Sequence, residues 1–186
     1  PDDHEVCDNW EPDLGAQSDQ WHEQGLKAYW TYQRPEVKQP HKKVWQIPVL
    51  GDLPVFMADT RYNRTTRMLR NPGASQARIM GASQTSALED WLLQRHRSPE
   101  QTLRPKRISS ASMLLPRRLG ASTSQRPHPE ECFSHDGWDG YPASRARLLG
   151  FIAHHRIQGV VFISGDEHLA SVTQATVGSV KVVNIH

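Results

Sequence analysis

Two short clusters of carboxylates and imidazoles lie near opposite ends of this 186-residue sequence. The first, Asp2-Asp3-His4-Glu5, surrounds one imidazole with three carboxylates within four residues. The second is Gly165-Asp166-Glu167-His168. Carboxylate oxygens are preferred by hard divalent cations, and imidazole suits zinc, iron and manganese. Both clusters therefore have the composition of a metal-binding site.

The setting of the second cluster restricts its location. It follows the apolar, β-branched run 160–164, which predicts a buried strand. Ligand-binding residues of α/β folds gather at the carboxyl ends of such strands, and Gly165 permits the chain to turn sharply there. Two simpler interpretations stay open: an ordinary strand-to-loop turn for the second cluster, and an exposed acidic terminus for the first.

Helical periodicity alternates with short apolar runs along the chain, a pattern typical of an α/β fold. Ser18 and Ser83 stand where helix caps are expected, and Pro142 stands at a favourable first helical position. The pattern predicts helices from 18 to before 35, from 83 to 97 and from 142 onward; strands at 44–49, 53–58, 108–115 and 160–164; a long loop at 116–133; and a hairpin of 170–177 and 179–185 around Gly178.

Five motifs occur in the same order as in the PhoD-like (alkaline phosphatase D type) phosphatases, and the sequence resembles that family along its whole length. The motifs are Asp2-Asp3-His4-Glu5-Val6 followed by Asp8-Asn9-Trp10; Asp59-Thr60-Arg61 with Arg64; the helix around Gln84 and Trp91-Leu92; Trp138-Asp139-Gly140-Tyr141-Pro142 with Arg145; and Ser164-Gly165-Asp166-Glu167-His168. Each motif is moderately specific, and their shared order makes the resemblance strong.

The resemblance implies an α/β (α+β) fold, a metallophosphoesterase-like β-sandwich flanked by helices. In that superfamily, motifs that supply the metal-bridging ligands precede the segment corresponding to Asp3 and His4. This sequence starts after their place. We therefore expect residues 1–186 to be the carboxy-terminal portion of a single PhoD-like metallophosphatase domain, with an incomplete sandwich, part of the metal site, and a possible lack of activity without the preceding segment.

The resemblance also implies roles for individual residues. Asp3, Asp166 and His168 correspond to metal ligands, with Asp3 replacing the superfamily's Asn and Asp166 replacing its first His, as is typical of the PhoD-like branch. His4 corresponds to the general acid. The implied cofactors are two divalent or trivalent ions, Ca, Fe, Mn or Zn. The implied reaction is in-line attack by a metal-bound hydroxide on a phosphate mono- or diester.

Arg61 is the candidate substrate-binding residue, because a guanidinium can bind phosphate oxygens through two hydrogen bonds. A structural salt bridge of Arg61 with Asp59 or Asp139 is an equal alternative. For the whole chain, a non-catalytic binding or scaffold protein that keeps the fold with an incomplete site is the second hypothesis.

Composition excludes some partners. Apolar residues make up 37% of the sequence, and no stretch approaches the ~20 apolar residues that span a bilayer. The 22 basic and 20 acidic residues are intermixed, and the basic region 95–126 contains few aromatic residues, so a nucleic-acid surface is not indicated. The expected partners are a phosphate-ester substrate and the preceding segment of the domain. The sequence assigns no compartment, and a secreted or periplasmic location is compatible with it.

Overall fold

The computed structural model describes residues 4, 6, 10, 12, 16–36, 43–50, 53–66, 76–115, 137–165 and 170–186. Its strands are Val49–Leu50 (β1), Leu53–Met57 (β2), Lys106–Ser109 (β3), Val160–Ile163 (β4), Val172–Val177 (β5) and Val180–Ile185 (β6). They form one six-stranded sheet in the order β1-β2-β3-β4-β6-β5. The four inner strands are parallel, and the outer strands β1 and β5 each pair antiparallel with their neighbour.

Three α-helices accompany the sheet in the described part of the chain. They are Ala16–Ala28 (α1), which continues as the π-helical turn Tyr29–Gln33, Ala82–Arg97 (α2) and Pro142–His154 (α3). Along the chain, α2 follows β2 and precedes β3, and α3 precedes β4. Because parallel strands need crossover connections, this order of elements confirms the predicted α/β fold.

One face of the sheet forms the core. Phe56, Ile108 and Phe162 occupy one row across β2, β3 and β4, and all three are fully buried. The buried side chains packed into the same core from α2 and α3 are Leu88, Trp91, Leu92, Leu148 and Ile152. Burial of these apolar side chains is the main favourable contribution to folding, and it fixes both helices on this face.

The opposite face of the sheet carries apolar side chains that remain partly exposed. Met57, Ile163 and Ile185 lie in the next row toward the carboxyl ends of the strands and are 40%, 41% and 43% exposed. In a β-sandwich, a second sheet covers a face of this kind. The described residues form one sheet only, so the sandwich stays a prediction that this apolar face supports.

Both predicted helix caps are wrong. α1 begins at Ala16, before Ser18, and α2 begins at Ala82, before Ser83. At α2 the N-cap is Gly81, whose carbonyl oxygen accepts hydrogen bonds from the backbone N–H and the hydroxyl of Thr85. Backbone bonding in the first turn, rather than a serine cap, therefore begins this helix.

The predicted strands 44–49 and 108–115 are shorter in the structure. In place of the first strand, the structure has an isolated bridge from Gln46 to Met57, followed by the two-residue strand β1. Pro48, which has no N–H to donate, separates Gln46 from β1 and interrupts the strand. β3 ends at Ser109 because the chain then turns, with the Ser110 hydroxyl donating to the carbonyl of Ser112 at 2.6 Å.

Other predicted elements agree with the structure. α2 ends at Arg97, α3 begins at Pro142, and β5 and β6 form the predicted hairpin, in which Gly178 adopts a φ of 61°. The predicted loop 116–133 lies outside the described residues. Within the described part of the chain, no helix combines the length and the apolar character that crossing a membrane requires.

Candidate functional site

A cleft of about 580 Å³ opens at the carboxyl edge of the sheet. Because β2, β3 and β4 are parallel, their carboxyl ends meet at this edge and form one wall. The turn after α1 and the bridge segment before β1 form the other. The lining residues are Tyr29, Gln33, Arg34, Val44, Gln46, Met57, Ala58, Ser109, Ser110, Ala111, Ile163, Ser164 and Gly165. The volume suits a small organic ligand.

The second sequence cluster begins on the wall of this cleft. Gly165 lines it, and the next residue along the chain is Asp166. Asp166 and His168 lie outside the described residues, as does Asp3, while His4 is described and is exposed. Among the described residues, no three His, Cys, Asp or Glu side chains group as a metal site requires. The metal-ligand and general-acid roles therefore stay predictions.

The Asp59-Thr60-Arg61 motif forms a turn at the end of β2. The fully buried Asp59 carboxylate accepts hydrogen bonds from the backbone N–H groups of Arg61 and Tyr62 and from the Asn63 amide, at 3.0, 2.9 and 2.6 Å. The Gln84 amide pairs with the Asp59 backbone N–H and C=O, at 2.7 and 2.8 Å. Asp59 thus closes the turn, and Gln84 attaches it to α2.

Arg61 itself is 2% exposed and is not among the residues that line the cleft. The other arginine of this motif, Arg64, donates two hydrogen bonds to the Thr60 carbonyl at 2.8 and 2.5 Å. Its guanidinium also lies 5.2 Å from the ring centre of Tyr141. Arg64 therefore braces the turn against the segment that begins α3. The substrate-binding role of Arg61 stays a prediction.

Asp139 and Arg145, both from the fourth motif, form an ion pair with each other. This pair links the short 3-10 turn Trp138–Gly140 to the first turns of α3. Trp138 is fully buried, and its indole N–H donates to the Ser110 hydroxyl at 3.4 Å. The motif thus connects the start of α3 to the chain that leaves β3 at the cleft wall.

Arg34 is a cleft residue that the sequence interpretation missed. It follows the π-helical turn, and its backbone N–H donates to the Tyr29 carbonyl at 3.1 Å. Its side-chain Nε donates to Glu36, and this hydrogen bond is the main cause that raises the pKa of Arg34 and lowers that of Glu36. The Arg34 side chain is 26% exposed, so its guanidinium can reach a ligand. Its only sequence signal was a basic residue at the expected helix end.

A second missed group lies where β6 ends, beside the first residues of the second cluster. Asn184 is fully buried, and its side-chain oxygen accepts hydrogen bonds from the backbone N–H groups of Leu114 and Leu115. The Asn184 amide nitrogen donates to the Ser164 hydroxyl at 2.8 Å, and that hydroxyl lies 3.0 Å from Nδ1 of His186. The signal for this group was a polar Asn near the end of the largely apolar hairpin strand predicted at 179–185.

A mostly parallel sheet flanked by helices, with a cleft at the carboxyl edge of its parallel strands, is the arrangement of an α/β protein. The model of the PhoD-like phosphatase family matches residues 1–183, and the chain belongs to this family.

Individual relatives agree with this assignment. Alkaline phosphatase D of Bacillus subtilis (strain 168) is 47% identical over 36 residues, which are 19% of this chain and 6% of that protein. The solved structure of PhoD matches with a TM-score of 0.70 and 20% sequence identity, over 98% of this chain and 38% of the PhoD chain. The structural match shows the fold, and this chain spans well under half the length of that relative.

Proposed function

We propose that this chain forms part of a metal-dependent hydrolase of phosphate mono- or diesters. The observation that carries the proposal is the position of Gly165. This residue lies on the wall of a ligand-sized cleft at the carboxyl edge of the sheet and is bonded directly to Asp166 of the candidate ligand cluster. Membership of the PhoD-like phosphatases supports hydrolysis of a phosphoester as the reaction.

The candidate ligands fit the metal ions that the family implies. Asp3, Asp166 and His168 offer carboxylate oxygen and imidazole nitrogen, the donors that calcium, manganese, iron and zinc accept in different proportions. When bound, two such ions would activate the attacking water and neutralise charge on the phosphoryl oxygens. Two ions need more ligands than these three side chains, so further ligands would come from other residues of the protein.

The chain's own residues contribute a proton donor and a cation. His4 is exposed, so its imidazole can approach a substrate and give a proton to the leaving oxygen. Arg34 places a guanidinium on the cleft wall, where it can contact an anionic group of the substrate. We favour Arg34 over the nearly inaccessible Arg61 for this contact, because a ligand reaches Arg61 only if the turn after β2 moves.

The test compares His4→Ala with the unaltered protein, each produced from the complete coding sequence and supplied with calcium, manganese or iron. Hydrolysis is measured on 4-nitrophenyl phosphate, which has a good leaving group, and on an alkyl phosphate, which has a poor one. Loss of a general acid should slow the alkyl ester by roughly 10²–10⁴-fold and the aryl ester much less, because nitrophenolate departs without a proton.

His154→Ala is the matched control, because His154 is an exposed histidine at the end of α3, away from the cleft. It should leave both rates unchanged. Equal slowing of both esters by His4→Ala would contradict the general-acid role. No metal-dependent hydrolysis by the unaltered protein would contradict the proposed function itself.

A further inference from the structure

We propose that the end of β6 is a clasp that positions the ligand-bearing segment 166–169, and that Nδ1 of His186 is its decisive side-chain atom. The clasp consists of Asn184 on β6 and His186, the residue after β6, together with Ser164 and Ser171, which lie on either side of that segment. The inference rests on the proposed function, because it assigns a purpose to residues beside Asp166 and His168.

The clasp holds the chain on both sides of segment 166–169. Before it, the Ser164 N–H donates to the Ile185 carbonyl at 2.9 Å. After it, Ser171 and His186 exchange two backbone hydrogen bonds of 2.8 and 2.9 Å. Ser164 is therefore held at Ile185, the last residue of β6, and Ser171 is held at His186, the next residue along the chain. A segment whose two ends are fixed loses less entropy when it binds a ligand.

The direction of the side-chain hydrogen bonds follows from the backbone. Because the N–H groups of Leu114 and Leu115 can only donate, the Asn184 atom facing them must be its oxygen, at 2.9 and 3.3 Å. The amide nitrogen then donates to Ser164 Oγ. This leaves the Ser164 hydroxyl proton for Nδ1 of His186, which acts as the acceptor when the imidazole is neutral with its proton on Nε2.

The backbone hydrogen bonds of His186 do not depend on its side chain, but the bond to Ser164 does. Loss of Nδ1 would keep the backbone hydrogen bonds of Ser164 and Ser171 and would remove one of the two side-chain hydrogen bonds of the Ser164 hydroxyl. Residues that orient metal ligands without touching the metal typically change metal affinity roughly 10–100-fold when they are removed. Position 186 should therefore influence metal binding through Ser164, as a positioning residue.

Three substitutions separate the atoms of the imidazole. His186→Asn keeps an acceptor close to the place of Nδ1, His186→Gln moves the polar atoms toward the place of Nε2, and His186→Ala removes both. Each variant is made in the protein from the complete coding sequence, with His154→Ala as the control. Mn²⁺ alone is titrated, and free Mn²⁺ is counted by electron paramagnetic resonance. Amide hydrogen exchange is followed at Ser164 and Ser171, with and without Mn²⁺.

We expect His186→Asn and the control to bind Mn²⁺ like the unaltered protein, while His186→Gln and His186→Ala bind roughly 10–100-fold more weakly. Exchange at Ser164 should accelerate in the last two variants even without metal, and exchange at Ser171 should change less. Equal Mn²⁺ affinity and equal exchange in all variants would overturn the clasp. If the unaltered protein binds no Mn²⁺ and hydrolyses no ester, the proposed function fails, and the exchange at Ser164 still decides whether Nδ1 holds this residue.

Discussion

Replacing Asn184 by alanine should destabilise the protein by about 2–4 kcal/mol, because it leaves buried donors without an acceptor. The Asn184 side-chain oxygen accepts from Leu114 N–H at 2.9 Å and from Leu115 N–H at 3.3 Å, and both leucines are buried. An orphaned buried donor costs about 1–3 kcal/mol, and the longer bond should contribute at the lower end of that range. Ser164 is partly exposed, so water can replace the amide there.

Urea unfolding followed by tryptophan fluorescence measures this loss, which corresponds to a midpoint lower by about 1–2 M for a typical urea dependence. Lys181→Ala is the control on the same strand, because Lys181 is exposed and its truncation should stay within about 0.5 kcal/mol. A midpoint for Asn184→Ala that equals the control would show that Leu114 and Leu115 do not depend on this amide, and the inferred network would be refuted.

Two further predictions concern glycines and pH. Gly159 has a φ of 72°, and a Cβ there would lie 3.3 Å from the Arg104 carbonyl oxygen, so Gly159→Ala should cost at least about 1–2 kcal/mol in thermal or urea unfolding. A Cβ at Gly150, within α3, would meet open space, so Gly150→Ala should instead raise the free energy of unfolding by up to about 1 kcal/mol. Stability changes of the same sign in the two variants would contradict this account. Desolvation, followed by the charges of Lys106, His155 and Arg97, lowers the folded-state pKa of His96 below its ordinary 6.5. The contribution of His96 to the free energy of unfolding is therefore complete above pH 6.5 and is lost as the pH falls through the folded-state pKa. His96→Gln should accordingly lose less stability between pH 8 and pH 5 than the unaltered protein. Equal losses in the two proteins would show that His96 does not cause the change.

The elements with strong local signals were predictable from the sequence. Pro142 marks the start of α3, and Gly178 marks a turn between two alternating strands, because proline and glycine restrict or extend the local backbone conformations directly. The end of β3 was not predictable in this way. Residues 110–115 are apolar enough for a strand, but Ser110 and Ser112 bond within the turn and to Thr60, which lies far away in the chain.

The candidate site was predictable only where a motif marked it. The segment after β4 has a recognisable composition, and the structure brings its first residue, Gly165, to the cleft. Arg34 and Asn184 carry no local signal of that kind, because their positions depend on how α1 and β6 pack against other elements. The position of Arg61 was equally unpredictable from the sequence. Its motif suggested a residue that binds phosphate, but its burial depends on how the turn after β2 folds.

Several residues of the family motifs have a structural role in this fold. Asp59 and Arg64 bond to backbone groups of the turn after β2, and Gln84 bonds to the Asp59 backbone. Trp138 donates to Ser110, and together these bonds hold the carboxyl edge of the sheet in shape. Asp3, Asp166 and His168 of the first and last motifs lie outside the described residues, and their roles as metal ligands stay predictions. Buried polar networks are costly unless their members are paired, and paired networks make the structure around them rigid, so these bonds keep the carboxyl edge of the sheet in one shape. The cleft and the clasp lie at this edge, and this is the physical reason to look for the chemistry there.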